Sequence, residues 1–379
     1  MAIPLNPLDA LKHGQWFKLI CGASYQDVSK IRNLSLVYSL AGADCIDVAA
    51  DLAVVQAATE GINASRVIAP TARRHLPWLM VSFNDGQDPH FRKAWFDPQS
   101  CPTDCPRPCE LVCPADAILR LSPAAEATIA DIGIITERCY GCGRCLPVCP
   151  HGLLEAQSFT VPAGKIIPQL LPYIDAIEIH TQMGRQDKFQ NLWQQLAPYI
   201  SQLQLVAISC PDSEPKSNAI IGYLAQLYEL MIPKPNQLLW QTDGRSMSGD
   251  IGKGTTLATI RLAEKVLNAR LPGYVQLAGG TNDYTVTKLR SLNLLKSSDS
   301  SASNHQTKSH GIHGIAYGSY ARRLINPGDS HLENQPEHLC QQVRLAQALV
   351  SQIKADSSMA QLSNQSNCAT QTSVANVPP

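Results

Sequence analysis

The chain has 379 residues, and at roughly 150 residues per domain that leaves room for one large domain carrying a small one. Thirty-one Lys and Arg balance thirty-one Asp and Glu, so the basic surplus that neutralises phosphates is missing, which excludes nucleic-acid binding as the primary activity. No run approaches the ~20 apolar residues that span a bilayer, and the start of the chain lacks the charged and apolar regions of a signal peptide, so the sequence reads as soluble and cytoplasmic with no membrane span.

Eight short apolar runs rich in β-branched residues follow one another along the chain, at 17–21, 45–49, 78–83, 176–180, 203–209, 237–241, 274–278 and 314–317. Between or after them lie amphipathic stretches at 25–40, 52–60, 188–199, 218–230, 255–268, 284–292 and 339–353. Strands alternating with helices predict a parallel sheet, and eight such units predict a closed (β/α)8, TIM-like barrel of the α/β class. The segment 98–152 is different in kind, dense in Cys and Pro and too poor in large apolar residues to fold without a metal core. It is expected to be a small α+β domain inserted after the third strand. The barrel is then split into 1–97, holding strands one to three, and 153–325, holding strands four to eight. A C-terminal helical region at 326–354 and a polar, disordered tail at 355–379 follow, and 296–310 also reads as disordered.

Eight of the thirteen cysteines fall between positions 101 and 149. Cys139, Cys142, Cys145 and Cys149, followed by Pro150, form the CxxCxxCxxxCP run of bacterial ferredoxins. Cys101, Cys105, Cys109 and Cys113, followed by Pro114, keep the final xxxCP but have a wider gap throughout. The segments CPADAI and CPHGLL, at 113–118 and 149–154, repeat one another and pair the two groups. In such pairs the fourth cysteine of each run ligates the other cluster. One cluster is therefore expected on Cys139, Cys142, Cys145 and Cys113, and a second on Cys101, Cys105, Cys109 and Cys149. The first reads as [4Fe–4S]; the wider spacing leaves [4Fe–4S] or [3Fe–4S] open for the second. Structural zinc also takes four thiolates, but it usually pairs two CxxC knuckles. A radical S-adenosylmethionine site would need a CxxxCxxC group, and the continuation after Cys105 and Cys109 is absent. Cys340 and Cys368 have no ligand spacing and read as ordinary thiols.

On the fourth strand Glu178 and His180 share a face, two residues apart, and Lys18, Asp47 and Asp243 on other strands can join them inside the barrel near its mouth. Two readings stand level: a ligand pocket, or satisfied polar core residues of a kind barrels also contain. Gly279, Gly280 and Thr281 after the seventh strand, and Gly318 and Ser319 after the eighth, occupy the loops where barrels hold phosphate, so flavin mononucleotide (FMN) or a phosphorylated metabolite is a candidate occupant. The same glycines equally well make turns. GDIGKGTT, at 249–256, is not a P-loop, because Lys253 is followed by Gly254 and not by Ser or Thr.

A split barrel carrying a two-cluster module resembles the cyanobacterial light-dependent period family, iron–sulfur components of the circadian input pathway. The resemblance is carried by ICGASYQDV (20–28), GADCIDVAAD (42–51), the two cysteine groups, TDGRSMSGDIGKGTT (242–256), VQLAGGTNDYTV (275–286) and HGIAYGSYARRLI (313–325). It runs from the start of the chain to about residue 325 and leaves out the tail. What it implies is a redox sensor, reporting the light-dependent state of electron transport or the quinone pool to the clock's input kinase and oscillator proteins. It brings the eight cysteines and no catalytic residue, so a non-enzymatic role is the expectation. The alternative is an electron-transferring oxidoreductase whose clusters feed a flavin in the barrel. A third reading is a scaffold with vestigial clusters.

Overall fold

The computed structural model describes residues 6–354 except 71–74, 87–90, 103, 120–132, 140, 159–161, 245–253 and 296–310. The stretches expected to be disordered and the core of the GDIGKGTT segment lie outside the described residues.

Twelve strands are present among them: β1 (Trp16–Ile20), β2 (Cys45–Ala49), β3 (Trp78–Asn84), β4 (Arg92–Trp95), β5 (Ile118–Leu119), β6 (Gly133–Ile134), β7 (Glu155–Ser158), β8 (Ala176–His180), β9 (Leu205–Ser209), β10 (Leu238–Asp243), β11 (Tyr274–Ala278) and β12 (Gly314–Tyr317). Eight of them close a parallel barrel in the order β1-β12-β11-β10-β9-β8-β3-β2. These are the eight apolar runs of the sequence. Each is buried on both faces, as a parallel sheet wrapped by helices requires. One face turns out to the helices: Phe17, Leu19, Val48, Val81, Ile177, Ile179, Ile208 and Trp240 belong to the main hydrophobic core. The alternate face turns into the barrel, where Trp16, Cys45, Met80, Ala176, Leu205, Ala207 and Leu239 pack as a separate apolar layer with Leu11. Leu11 comes from the helix Pro7–Lys12 and closes the bottom of that layer.

Local chemistry sets the first crossovers. Asp27 caps the helix Val28–Ala41 by accepting from the Lys30 N–H, and Gly42 ends it in the left-handed region; Asp51 caps Leu52–Ile68 in the same way through the Val54 N–H. Such caps satisfy N–H groups that a helix leaves unpaired at its start. Later crossovers run through Gln186–Leu196, Ala219–Leu230, Thr256–Ala269 and Thr285–Ser291; Ser319–Leu324 follows the last strand, and Pro336–Val350 closes the described chain against Val28–Ala41.

The third crossover carries the cysteines. The chain leaves the C-terminal end of β3, forms an antiparallel ribbon of β4 with β7, and holds both cysteine groups between the two strands, with Trp95 opposite Glu155. A second short antiparallel pair, β5 with β6, lies within it. Barrels place their sites on the C-terminal face, and this is the face from which the cysteine-bearing segment rises. One thiol departs from expectation: Cys340, on the last helix, is disulfide-bonded and so is not an ordinary thiol. No helix among the described residues is long and apolar enough to cross a membrane.

Candidate metal centres and the barrel mouth

The structure brings the eight clustered cysteines together in two sets. One cavity is lined by Cys113 with Cys139, Cys142 and Cys145. The other is lined by Cys149 with Cys101, Cys105 and Cys109. Each therefore takes three sulfurs from one sequence run and one from the other. All eight are free thiols.

The two cavities are built in related ways. The sulfur of the visiting cysteine accepts from a backbone N–H four residues on: Ala117 N to Cys113 Sγ at 3.3 Å and Leu153 N to Cys149 Sγ at 3.4 Å. Cys139 Sγ accepts from Ala94 N of β4 at 3.3 Å, and Cys105 Sγ from Arg107 N at 3.5 Å. Apolar walls complete them, Ala115, Ala117 and Ile134 on one side and Phe96, Leu153 and Leu154 on the other. Gly141 is dictated by this packing. Its φ is +67°, and a Cβ there would lie 2.0 Å from the Arg92 carbonyl oxygen, so the loop bearing Cys139 and Cys142 can press against β4 only with glycine.

The donor set is what a cationic cluster needs. Burial, followed by the neighbouring Cys142, Cys139 and Cys113 thiolates, pushes the Cys145 thiol up to about 12. Burial likewise raises Cys142, Cys101 and Cys109. Thiolates so crowded repel one another until a cation sits among them, and metal coordination deprotonates them outright. Cys149 goes the other way: burial would raise it, but the backbone N–H groups of residues 151–154 outweigh that and lower it. Eight thiols in two such fours fit a pair of iron–sulfur clusters.

Inside the barrel, above the apolar layer, lies a second feature. Lys18 reaches Asp47 at 3.1 Å and also bonds Glu178. Ser82 Oγ donates to Asp47 at 2.9 Å. His180 Nε2 lies 2.9 Å from Glu178 Oε1, which Gln241 also meets, and Gln241 reaches on to Asp243 at 3.2 Å. Gln276 donates to Gln241 at 2.7 Å and accepts from Trp16 Nε1 at 2.7 Å. All of these side chains are buried. Lys18 is held charged by Asp47 and Glu178 against the opposing effect of its burial. Burial alone would raise Glu178, yet Lys18 and then His180 hold its carboxyl down to about 2; burial of Asp47 prevails over Lys18 and lifts it to about 6. Ligand atoms of Glu178, His180 and Asp243 all lie within 4.8 Å of one another. The edge of Phe91, one residue before β4, packs on His180 with centroids 5.2 Å apart.

The glycine-rich loops are engaged within the protein. Gly279 and Gly280 take φ of +67° and +88°, a Cβ on Gly280 would meet the Thr255 carbonyl oxygen at 2.6 Å, and Thr255 Oγ1 donates to Gly280 O at 2.6 Å. Thr281 Oγ1 donates to Ala316 O at 2.6 Å. Gly318 precedes the helix Ser319–Leu324, and Arg322 reaches Ser319 Oγ at 3.2 Å and Ile20 O at 2.8 Å.

Several participants leave no mark in the sequence. Gln241 and Gln276 are single amides in apolar runs, with only the period-2 spacing of Gln241 and Asp243 as a signal. Phe91, Arg92 and Lys93 sit in a polar stretch with no motif, yet Arg92 donates to Gly141 O at 3.1 Å, and Lys93 donates to Gln26 Oε1 at 2.6 Å and to Thr136 O.

Residues 101–160 match the LdpA Fe-S cluster-binding domain, and residues 171–352 match the light dependent period A C-terminal domain. The chain is 52% identical over 356 residues to Light dependent period A of Synechococcus elongatus, covering 92% of this chain and 94% of that one. Among solved structures it is similar to tryptophan synthase from M. tuberculosis, at 10% identity and a TM-score of 0.45 over 93% of this chain and 99% of that one. It is also similar to a pyruvate kinase from Cryptosporidium parvum, at 10% identity and a TM-score of 0.40 over 91% and 71%.

Proposed function

This chain belongs to the light dependent period A family, and from that membership we propose that it is an iron–sulfur redox sensor acting in light-dependent input to a circadian clock. Cys113, Cys139, Cys142 and Cys145 hold one cluster, [4Fe–4S]; Cys101, Cys105, Cys109 and Cys149 hold the other. The observation that carries this reading is the exchange of the fourth cysteine between the two cavities, which matches the cross-ligation of two-cluster ferredoxins. When bound, each cluster takes up or gives up one electron.

The protein's own residues set how that change is felt. N–H donors to Cys139, Cys113, Cys105 and Cys149 offset negative charge on sulfur, and such hydrogen bonds tune cluster potentials. With all eight thiols committed to ligation, none of the set remains to act as a nucleophile, so the output is a change of charge and contact read by protein partners, the clock's input kinase and oscillator proteins.

The test is EPR with iron and sulfide analysis on anaerobically purified protein, wild type against Cys149→Ser. The expected result is loss or conversion of the cluster on Cys101, Cys105 and Cys109, with the signal of the Cys139 group retained. Loss of the Cys139-group signal instead shows that each run ligates its own cluster, and clusters that no reductant or oxidant changes end the sensor reading.

A further inference from the structure

A sensor has to be reached by whatever it senses, and the surface beside the first cluster cavity has the character of a contact site. An open cleft of about 660 Å³ lies there, and two of the cavity's four cysteines, Cys113 and Cys142, line both. Three arginines line the cleft as well, and they come from separate parts of the chain: Arg92 from β4, Arg144 from the second cysteine run, and Arg323 from the barrel helix Ser319–Leu324. No carboxylate is among its described lining residues. Every charged side chain among those described lining residues is therefore positive, in a chain whose formal net charge is zero. Leu111, which also lines it, is 86% exposed, and Pro114 and Pro147 are exposed beside it.

Arginine around exposed apolar side chains is the composition of protein–protein interfaces, where Arg is enriched and Lys depleted. A small ligand fits less well, because pockets for small molecules bury most of the ligand surface and this cleft is open along one side. Building on the iron–sulfur reading above, we propose that the cleft is the docking site of an acidic one-electron carrier protein. The carrier's carboxylates meet Arg144 and Arg323, its apolar contact is Leu111, and its redox centre faces Cys113 and Cys142. The exchange balances as a single electron: the reduced carrier leaves oxidised by one electron, the cluster on Cys113, Cys139, Cys142 and Cys145 is reduced by one, and no bond is made or broken. Charge of opposite sign on the two faces steers the encounter and sets its rate.

The test uses the full cluster-loaded chain, kept anaerobic, with a plant-type [2Fe–2S] ferredoxin as the acidic probe and cytochrome c as a basic control. Binding is measured by surface plasmon resonance, with the EPR of the dithionite-reduced protein recorded on the same samples. Expected are ferredoxin binding that weakens tenfold or more between roughly 20 and 200 mM NaCl, a further loss of about tenfold or more in R144E/R323E, a smaller loss in L111S, and no binding of cytochrome c. The variants must keep the wild-type cluster spectrum. A reducible cluster with no ferredoxin binding, or binding indifferent to R144E/R323E, overturns the docking proposal and leaves the sensor reading standing. Arginine-dependent binding of a naphthoquinone sulfonate with no binding of ferredoxin also overturns it, and assigns the cleft to a small anion. Clusters that dithionite cannot reduce overturn the sensor reading, and EPR shows that outcome independently of any binding result.

Discussion

Lys18 is fully buried and is the one cation that both Asp47 and Glu178 contact among the described residues. Replacing Lys18 by Met leaves Asp47 and Glu178 buried and without their cation, which costs about 3–5 kcal/mol when a buried pair is broken on one side. The pH dependence follows with a definite sign. In the wild type the depressed carboxyl of Glu178, about 2 against 4.5 unfolded, contributes stability that is present above 4.5 and lost as pH falls toward 2. Asp47, raised to about 6 against 3.8, already takes up a proton on folding in the window between those values, and there it stabilises as pH falls. In Lys18→Met both carboxyls are raised by burial, so the folded state binds more protons than the unfolded chain between pH 7 and 5 and the variant gains stability on acidification. Thermal melts at pH 5, 6 and 7 check this: the Tm deficit of the variant should narrow as pH falls, and a deficit constant in pH excludes the assignment. Beside the first cysteine cavity Lys93, pushed down by burial and drawn up by Cys139, sits where added negative charge on a cluster would be felt. Lys93→Met should lower the midpoint potential of that cluster by an amount on the order of tens of millivolts, measured by EPR redox titration, with the second cluster unmoved.

The β4–β7 ribbon joins the cysteine-bearing segment to a barrel whose eight strands come entirely from outside it. Because Trp95 pairs with Glu155, the chain ends just beyond them are close, and a Gly/Ser linker from 97 to 153 closes the ribbon as a hairpin. The shortened chain should keep a cooperative melt with a lowered Tm, since it loses the bond of Lys93 to Thr136 and that of Gln26 N to Glu137 O; an aggregated or non-cooperative product shows the insert to be integral to the core. This element also marks where the sequence was readable. All eight barrel strands were legible because each is a short, mainly apolar run buried on both faces, and the cysteine spacing named the eight ligand candidates. The ribbon was not, because Arg92–Trp95 and Glu155–Ser158 are mostly polar and pair only with one another. The helix Ala163–Leu170 was hidden by Pro168 inside it, a residue that ordinarily argues against a helix interior. Glu178 and His180 stood out as charged groups in an apolar strand, whereas Gln241, Gln276 and Ser82 acquire a role only once the barrel closes and brings six strands to one layer.

At the scale of the whole molecule, the cysteine segment and the barrel interior meet along four consecutive residues. Ala94 N–H donates to Cys139 Sγ, and Phe91 lays its ring edge on His180. Three steps at ~3.3 Å of rise per extended residue put about 10 Å between Phe91 and Ala94, which sets the scale of coupling between the imidazole and a cluster that Cys139 would hold. At that distance and an effective dielectric of ~20, a unit charge is worth roughly 1–2 kcal/mol, or about one pKa unit at one site. The groups around the ring are Glu178 on its own strand, Asp243 on β10, Lys18 on β1 and Phe91 from the segment before β4, so the carboxylates favour the imidazolium and Lys18 opposes it. A reduced cluster carries one more negative charge and adds to the carboxylates' side; oxidation removes it. Added negative charge on a reduced cluster therefore favours a protonated ring at His180, and the potential of the Cys139 cluster should rise as pH falls. Voltammetry of the adsorbed protein from pH 5 to 8 measures that slope. His180→Gln should flatten it, and Phe91→Ala, which admits water between ring and cluster, should shrink it through better screening while leaving its sign. A slope identical in wild type and His180→Gln would remove the barrel from the signal and leave the cleft beside Cys113 and Cys142 as the place where redox state is read.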